Sequence, residues 1–148
     1  MTTADQWAVE YALGYADREE YQDAAHAYMH AMNGDKAMST DKACAKSNDF
    51  IKSQYEEAWE LDSQGKHREA LFQFGIALHT IQDSMSPAHS GFQLWTGEET
   101  KREIFDHLTR ELSDPGSGSE LDTATRNAWE WYSSRQFPTN GAVKCDCP

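Results

Sequence analysis

The segment at residues 74–89, FGIALHTIQDSMSPAH, carries side chains whose types and spacing are suited to binding a metal ion. His79 and Asp83 are four residues apart, so in a helix they lie on the same face, one turn apart. Pro87 ends such a helix, because proline has no N–H and disfavours helical geometry at the residue before it. His89 follows two residues later, and we expect it to fold back toward the same face. Two imidazoles and a carboxylate so close in sequence indicate a zinc-binding core.

Further histidines and carboxylates repeat this four-residue spacing. They are His107 with Glu111, and His26 with His30, and Asp17 precedes the second pair. Helical bundles build metal sites from ligands on several helices, so these residues are candidates to complete the site. Taken alone, such a pair is usually a surface contact worth about 0.3–0.5 kcal/mol, and Asp17 has the simpler interpretation of a helix cap. Asp83 on an apolar helix is harder to explain in that way, because a buried carboxylate needs a strong partner.

The elements that position these residues are predicted to be helices almost throughout. Glycine and proline are scarce before residue 86, and runs of β-branched residues are missing. The predicted helices span residues 4–16, 18–32, 36–62, 67–85, 98–112 and 121–133, with a possible break in the third near Ser39 and Thr40. We expect an all-α fold, a compact bundle of about five to six helices with metal ligands projecting from several of them. Residues 1–135 are predicted to form one domain, and residues 136–148 an irregular tail.

Composition and charge narrow the range of functions. The formal net charge of −12 disfavours broad binding to a nucleic-acid backbone, but it suits a basic partner such as an inhibitor protein. No apolar run approaches the roughly 20 residues of a membrane span, and no signal peptide opens the sequence, so we expect a soluble protein. The odd number of cysteines predicts no disulfide framework, and Cys44 stands alone in the sequence. We expect Cys145 and Cys147 to lie in a frayed tail, with metal binding as the alternative.

The motif His79-x3-Asp83-x5-His89, with Pro87 two residues before the last histidine, resembles the signature of zinc-dependent phospholipases C and the related fungal single-strand nucleases. The segment LHTIQDSMSPAH and the following GFQLW are more similar to C-terminal toxin domains of bacterial Rhs-type polymorphic toxins than to those enzymes. These toxin domains carry the motif in a shortened form. The similar block covers about residues 71–95, and weaker similarity extends over most of the chain. The resemblance implies a secreted or delivered effector domain that a cognate immunity protein neutralises.

The resemblance also implies a ligand set, because the upstream segment LGYADREEYQDAAHAYMHAMN is similar to the family segment that supplies an Asp and a His. One implied zinc site consists of Asp17, His30, His79 and Asp83, with Asp23 and His26 as alternatives for the upstream pair. The other implied site consists of His89, His107 and Glu111. The family holds a further zinc through an N-terminal Trp and a nearby His. Here Trp7 is internal and no His precedes His26, so we expect two zinc ions and leave a third open.

The implied chemistry is hydrolysis of a phosphodiester, with phospholipid as the expected substrate. Clustered zinc ions neutralise phosphate oxygens and lower the pKa of a bound water toward about 7. Asp83 is expected to bridge metals, and Asp17 to orient or deprotonate the water. Phe92 and Trp95, beside His89, are candidates to contact an acyl chain or a base, with packing in the core or at its rim as the default alternative. Two alternatives stay open: a single-strand nuclease that uses the same metal site, and a non-catalytic binding module that zinc stabilises.

Overall fold

The computed structural model describes residues 2–86, 89, 91–97 and 119–145. Over these residues the regular secondary structure is helical, without a β-strand, which confirms the predicted all-α bundle. The α-helices in this part of the chain span Thr3–Ala16 (α1), Thr40–Ser63 (α2), His67–Met85 (α3) and Glu120–Ser134 (α4), and 3₁₀ helices span Glu19–Tyr21 (η1) and Ala24–His30 (η2). The helix predicted at residues 98–112 lies outside the described residues.

Helix α3 lies at the centre of the bundle and packs against α1, α2 and α4. Its apolar side chains cover most of its circumference, as expected for a buried helix. Those that are buried include Leu71, Phe74, Leu78 and Ile81. Gly75 lets α1 approach closely, because a Cβ atom at this position would lie 2.5 Å from the Cβ atom of Ala12. This packing fixes the part of α3 that carries His79 and Asp83.

The segment predicted as one helix at residues 18–32 instead forms the two short helices η1 and η2. The side chain of Asp23 accepts a hydrogen bond from the N–H of His26 at 3.0 Å and so caps η2 as a new element. Ala31 then ends η2 in a left-handed conformation, with φ 51°. The prediction of a continuous helix was wrong because an Asp side chain that bonds to its own backbone competes with helical hydrogen bonding.

A short backbone connection joins the chain after η2 to the chain after α3. The N–H of Asn33 donates to the carbonyl of Gln93 at 2.9 Å, and the N–H of Trp95 donates to the carbonyl of Asn33 at 2.8 Å. These bonds hold the loop that follows His89 against the segment that follows His30. Two ligand-bearing segments far apart in sequence are therefore tied together by main-chain atoms.

The C-terminal segment is irregular over residues 135–145, as predicted, but it is not frayed. Cys44 on α2 forms a disulfide with Cys145, and Val143, within the same segment, is buried. The side chain of Asn48 donates to the carbonyl of Val143 and accepts from its N–H, both at 2.9 Å. The expectations that Cys44 stands alone and that Cys145 lies in a frayed tail were wrong, because an odd cysteine count does not reveal that the chain returns to α2. Cys147 lies outside the described residues.

Helix α2 begins at Thr40, and the side chain of Ser39 caps it by accepting from the N–H of Lys42 at 3.3 Å. The possible break predicted near these residues is therefore the start of the helix. Ser119 caps α4 in the same way, by accepting from the N–H of Asp122. Within the described ranges, no helix combines the length and the apolar character needed to cross a membrane.

Candidate metal centre

Four separate parts of the fold direct titratable side chains to one point. Asp17 caps the C-terminus of α1, and His30 is the last residue of η2. His79 and Asp83 lie one turn apart on α3, as their spacing predicted. His89 follows the end of α3 and is buried beside them. The group formed by Asp17, His30 and His79 could hold a metal ion.

The distances between the donor atoms are short and similar. The Nε2 atom of His79 lies 3.2 Å from Nδ1 of His30, and Oδ2 of Asp83 lies 3.0 Å from the first atom and 3.1 Å from the second. The Oδ1 atom of Asp17 lies 3.5 Å from the His79 nitrogen and 4.0 Å from the His30 nitrogen. With metal–ligand bonds of about 2.0–2.1 Å, two ligands of a tetrahedral zinc ion lie about 3.3 Å apart. The donor set therefore fits a divalent cation in type and in spacing.

A main-chain carbonyl group fixes which nitrogen of His30 faces the centre, and another holds the ring of His89. The Nε2 atom of His30 lies 3.2 Å from the carbonyl oxygen of Tyr21, and Nδ1 of His89 lies 2.6 Å from the carbonyl oxygen of His30. A carbonyl only accepts hydrogen bonds, so these two nitrogens donate. A neutral His30 then has a lone pair on Nδ1, and a neutral His89 has one on Nε2. Such bonds are the usual means of orienting metal-binding histidines.

The lone pair on His30 faces the carboxylate of Asp83, and that contact is attractive only if a cation lies between the two groups. The cation is either a proton that the two groups share or a metal ion. When protons occupy these contacts, burial opposes ionisation of Asp83, but hydrogen bonds with His30 and His79 outweigh it and hold the pKa of Asp83 well below its usual range. Asp83 is therefore a carboxylate, and the centre is built to receive positive charge.

The centre is closed on one side and open on the other. The side chains of His30, His79 and His89 are buried, and Asp83 exposes only 17% of its side-chain surface. Asp17 exposes 62% of its side chain. Solvent therefore reaches the centre from the side of Asp17, and a water molecule or a substrate oxygen can approach a bound cation there.

The structure decides between the upstream alternatives. His26 turns to Asp23, with 2.6 Å between Nδ1 and the carboxylate, whereas His30 and Asp17 are the residues at the centre. His89 joins them only at the edge, with Nδ1 4.0 Å from Oδ2 of Asp83. The other two predicted ligands, His107 and Glu111, lie outside the described residues.

The predicted substrate contacts differ from expectation. Phe92 is buried in the hydrophobic core, so its assignment as an exposed substrate contact was wrong and the alternative of core packing is confirmed. Trp95 is half-buried, and its indole N–H donates to the carbonyl of Gln22 at 2.8 Å. This bond supports the η1–η2 segment that carries His30. Both aromatic residues therefore have structural contacts that explain their presence in the loop.

Sequence reasoning missed the carbonyl groups of Tyr21 and His30, which orient two of the imidazoles. Every residue has a carbonyl, so no sequence signal marks the ones that matter.

We also compared the chain with known proteins. No protein-family model matches it, and neither does a curated protein or a solved structure. The candidate metal centre therefore depends on its own geometry.

Proposed function

We propose that the protein is a metal-dependent phosphodiester hydrolase of the zinc phospholipase C type. The observation that carries the proposal is the convergence of His30, His79 and Asp83 to within 3.0–3.2 Å of one another, from segments far apart in sequence. Imidazole nitrogens and carboxylate oxygens in a tetrahedral array are ligands that zinc prefers. We infer a second zinc ion at His89, for which the sequence offers His107 and Glu111 as further ligands.

The residues of the centre have separate roles in this proposal. Zinc supplies positive charge against the phosphate oxygens and lowers the pKa of water toward about 7. The buried side chains of His30, His79 and Asp83 hold that charge in place and exclude solvent behind it. Asp17, whose carboxylate is exposed, lies where it can orient the attacking water or accept its proton.

Phospholipid is favoured over single-stranded nucleic acid as the substrate. The formal net charge of −12 opposes the approach of a polyanion, whereas a phospholipid presents one phosphodiester at a time. This observation supports the lipid substrate, and a nuclease on the same centre is the alternative outcome of the assay below.

The experiment joins metal content to activity. Purified protein should contain zinc in stoichiometric amount by elemental analysis, and it should hydrolyse phosphatidylcholine but not single-stranded DNA. His79→Ala and Asp83→Asn should each lose the zinc and the activity. His26→Ala is the matched control, because His26 belongs to the same segment as His30 but turns to Asp23, so this variant should keep both. A protein without stoichiometric metal, or unchanged activity in the first two variants, would refute the proposal.

A cellular role as a delivered bacterial toxin of the Rhs type, neutralised by an immunity protein, is part of the same proposal. The disulfide between Cys44 and Cys145 supports it, because disulfides persist in oxidising compartments outside the cytosol. The acidic charge suits a basic inhibitor. Expression in the bacterial periplasm should be toxic, and a neighbouring gene product should relieve it. Equal growth with wild-type protein and with His79→Ala would contradict this role.

A second candidate is a non-catalytic module that zinc stabilises. Four side chains, those of Asp17, His30, His79 and Asp83, lie together at the centre. This number favours the module, because structural zinc sites are closed by four protein ligands. Chelation should then lower the melting temperature of a protein that hydrolyses neither lipid nor nucleic acid. An enzyme would instead lose activity on chelation and regain it with added zinc.

A further inference from the structure

A continuous row of aromatic side chains connects the surface of α1 with the metal centre. The aromatic row consists of Trp7, Tyr11, Phe72, Tyr15 and Tyr21. Successive ring centroids along it lie 5.4, 6.1, 5.2 and 5.6 Å apart. At its inner end the hydroxyls of Tyr15 and Tyr21 are hydrogen-bonded at 2.9 Å, and the carbonyl of Tyr21 accepts from His30. The row therefore leads to a residue that orients a ligand of the centre.

The aromatic rings at the outer end of the row are exposed to solvent. Trp7 exposes 64% of its surface and Tyr11 exposes 47%, although their rings are stacked on each other. Beside Trp7 lies an open, mainly apolar cavity of about 240 Å³, which is lined by Ala4, Trp7, Ala8, Arg68, Glu69 and Phe72. Two adjacent exposed aromatic rings next to an apolar cavity are typical of a contact surface.

The stripe and the open edge of the metal centre meet at the C-terminal end of α1. Trp7, Tyr11 and Tyr15 are four residues apart, so they form one stripe along α1. Asp17 follows at the end of that helix, about 15 Å from Trp7 at the rise of an α-helix. Tyr15, the last residue of the stripe, is two residues from Asp17, whose carboxylate is exposed at the centre.

The charges around the stripe are balanced. The guanidinium of Arg18 lies 4.3 Å from the centroid of the Tyr15 ring and donates to the hydroxyl of Tyr11 at 3.1 Å. Arg68 lines the cavity together with Glu69. Glu10 is exposed between Trp7 and Tyr11 in sequence. Guanidinium groups bind phosphate, and aromatic faces and carboxylates bind quaternary ammonium groups, so this pattern complements a zwitterionic headgroup.

We propose that the aromatic row is a docking surface for a bilayer of zwitterionic phospholipid, with Trp7 and Tyr11 inserted at the level of the headgroups. Trp and Tyr favour this interface because their rings are apolar and carry a polar atom. Anionic bilayers and nucleic acids are disfavoured, because the protein carries a formal charge of −12. The inference rests on the proposed hydrolysis of phospholipid, since docking would hold the enzyme at the surface that carries its substrate.

The test measures binding to phosphatidylcholine vesicles by flotation, with the metal removed by chelation so that no lipid is consumed. Wild-type protein should float with these vesicles. Trp7→Ala with Tyr11→Ala should bind about tenfold more weakly, because binding to the interface scales with the apolar area that is buried. Trp129→Ala is the matched control: Trp129 is an aromatic residue on α4 that exposes 39% of its surface, and its variant should bind as wild type. Trp7→Gln alone keeps the test valid if the double variant does not fold.

Three results would overturn the proposal: wild-type protein that does not float, Trp7 variants that bind as wild type, and tighter binding to phosphatidylglycerol vesicles or single-stranded DNA through Trp7. A separate assay on a water-soluble phosphodiester distinguishes this failure from failure of the proposed function. Hydrolysis of that substrate by wild type and by the Trp7 variants alike would leave the enzyme proposal intact while the docking proposal falls.

Discussion

The Nε2 atom of His30 lies 3.2 Å from the carbonyl oxygen of Tyr21, and this contact determines how His30 faces the metal centre. Because the carbonyl must accept, Nδ1 is the nitrogen left to bind a cation. That nitrogen lies 3.1 Å from Asp83 and 3.2 Å from His79. The identity of the ligand atom can therefore be tested by substitution.

His30→Asn and His30→Gln distinguish the two imidazole nitrogens. The amide of Asn reaches about as far as Nδ1, whereas that of Gln reaches about as far as Nε2. We expect zinc affinity to fall about 10-fold in His30→Asn and by at least about 100-fold in His30→Gln, as for loss of an orienting partner and of a ligand respectively. Competition with a chromogenic chelator measures both. His26→Gln should keep wild-type affinity, and a greater loss in the Asn variant would show that Nδ1 is not the ligand.

Ligands that share one helix could be predicted from their spacing in the sequence. Contacts that depend on tertiary packing could not. The spacing of His79 and Asp83 predicted their shared face, since a helix repeats every 3.6 residues. The placement of His30 followed from resemblance to a family motif, because no spacing relates it to α3. Phe92 was assigned wrongly because a loop residue with φ 55° turns its side chain into the core, and no local pattern indicates that turn.

The disulfide was missed for a related reason. Cys44 and Cys145 are 101 residues apart, and their pairing depends on the return of the C-terminal segment to α2. The interaction that brings them together is the pair of hydrogen bonds between Asn48 and the backbone of Val143. The sequence around an Asn on a polar helix contains no pattern that indicates such a role. Local periodicity therefore predicts elements, whereas long-range bonds decide how those elements are closed.

Two glycines of packed helices should respond to alanine in opposite directions. Gly14 on α1 has open space where a Cβ atom would lie, and its φ is not positive, so Gly14→Ala should stabilise the protein by about 0.5–1 kcal/mol. A Cβ at Gly75 would lie 2.5 Å from the Cβ of Ala12, so Gly75→Ala should destabilise it by about 1–3 kcal/mol. Urea unfolding measures both values. Equal effects of the two substitutions would contradict the close approach of α1 to α3.

Removal of the disulfide should lower stability without loss of the metal. In the chain-entropy model, opening a loop of about 100 residues costs about 4.7 kcal/mol, and measured losses are about 2–5 kcal/mol. Cys44→Ala should therefore lower the free energy of unfolding by about 2–5 kcal/mol and so lower the urea midpoint, as should a reducing agent added to the wild type. Cys147→Ser is the control and should unfold as wild type, because Cys145 is the partner of Cys44. Stability that is the same for Cys44→Ala and wild type would show that the bond contributes nothing.

Asp62 gives the protein a stability that depends on pH. Its carboxylate is hydrogen-bonded to His67 at 3.0 Å and to Arg135 at 2.9 Å, so it joins the end of α2 to the start of α3 and the end of α4. The hydrogen bond with His67, more than the bond with Arg135, lowers the pKa of Asp62 below its ordinary value, and burial opposes the shift. Because the folded protein has the lower pKa, the stabilisation is present above about pH 4, the unfolded value, and is lost as the pH falls through the folded value.

The variant Asp62→Asn should show this dependence directly. At pH 7 it should be less stable than wild type by less than about 1 kcal/mol, because Asp62 exposes 32% of its side chain and Arg135 exposes 51%, so that solvent screens the pair. Below the folded pKa of Asp62 the two proteins should unfold at the same urea concentration, because the wild-type carboxyl is then neutral as well. Glu57→Gln, an exposed substitution on the same helix, serves as the control. A difference between Asp62→Asn and wild type that persists at low pH would mean that the amide disturbs packing rather than charge.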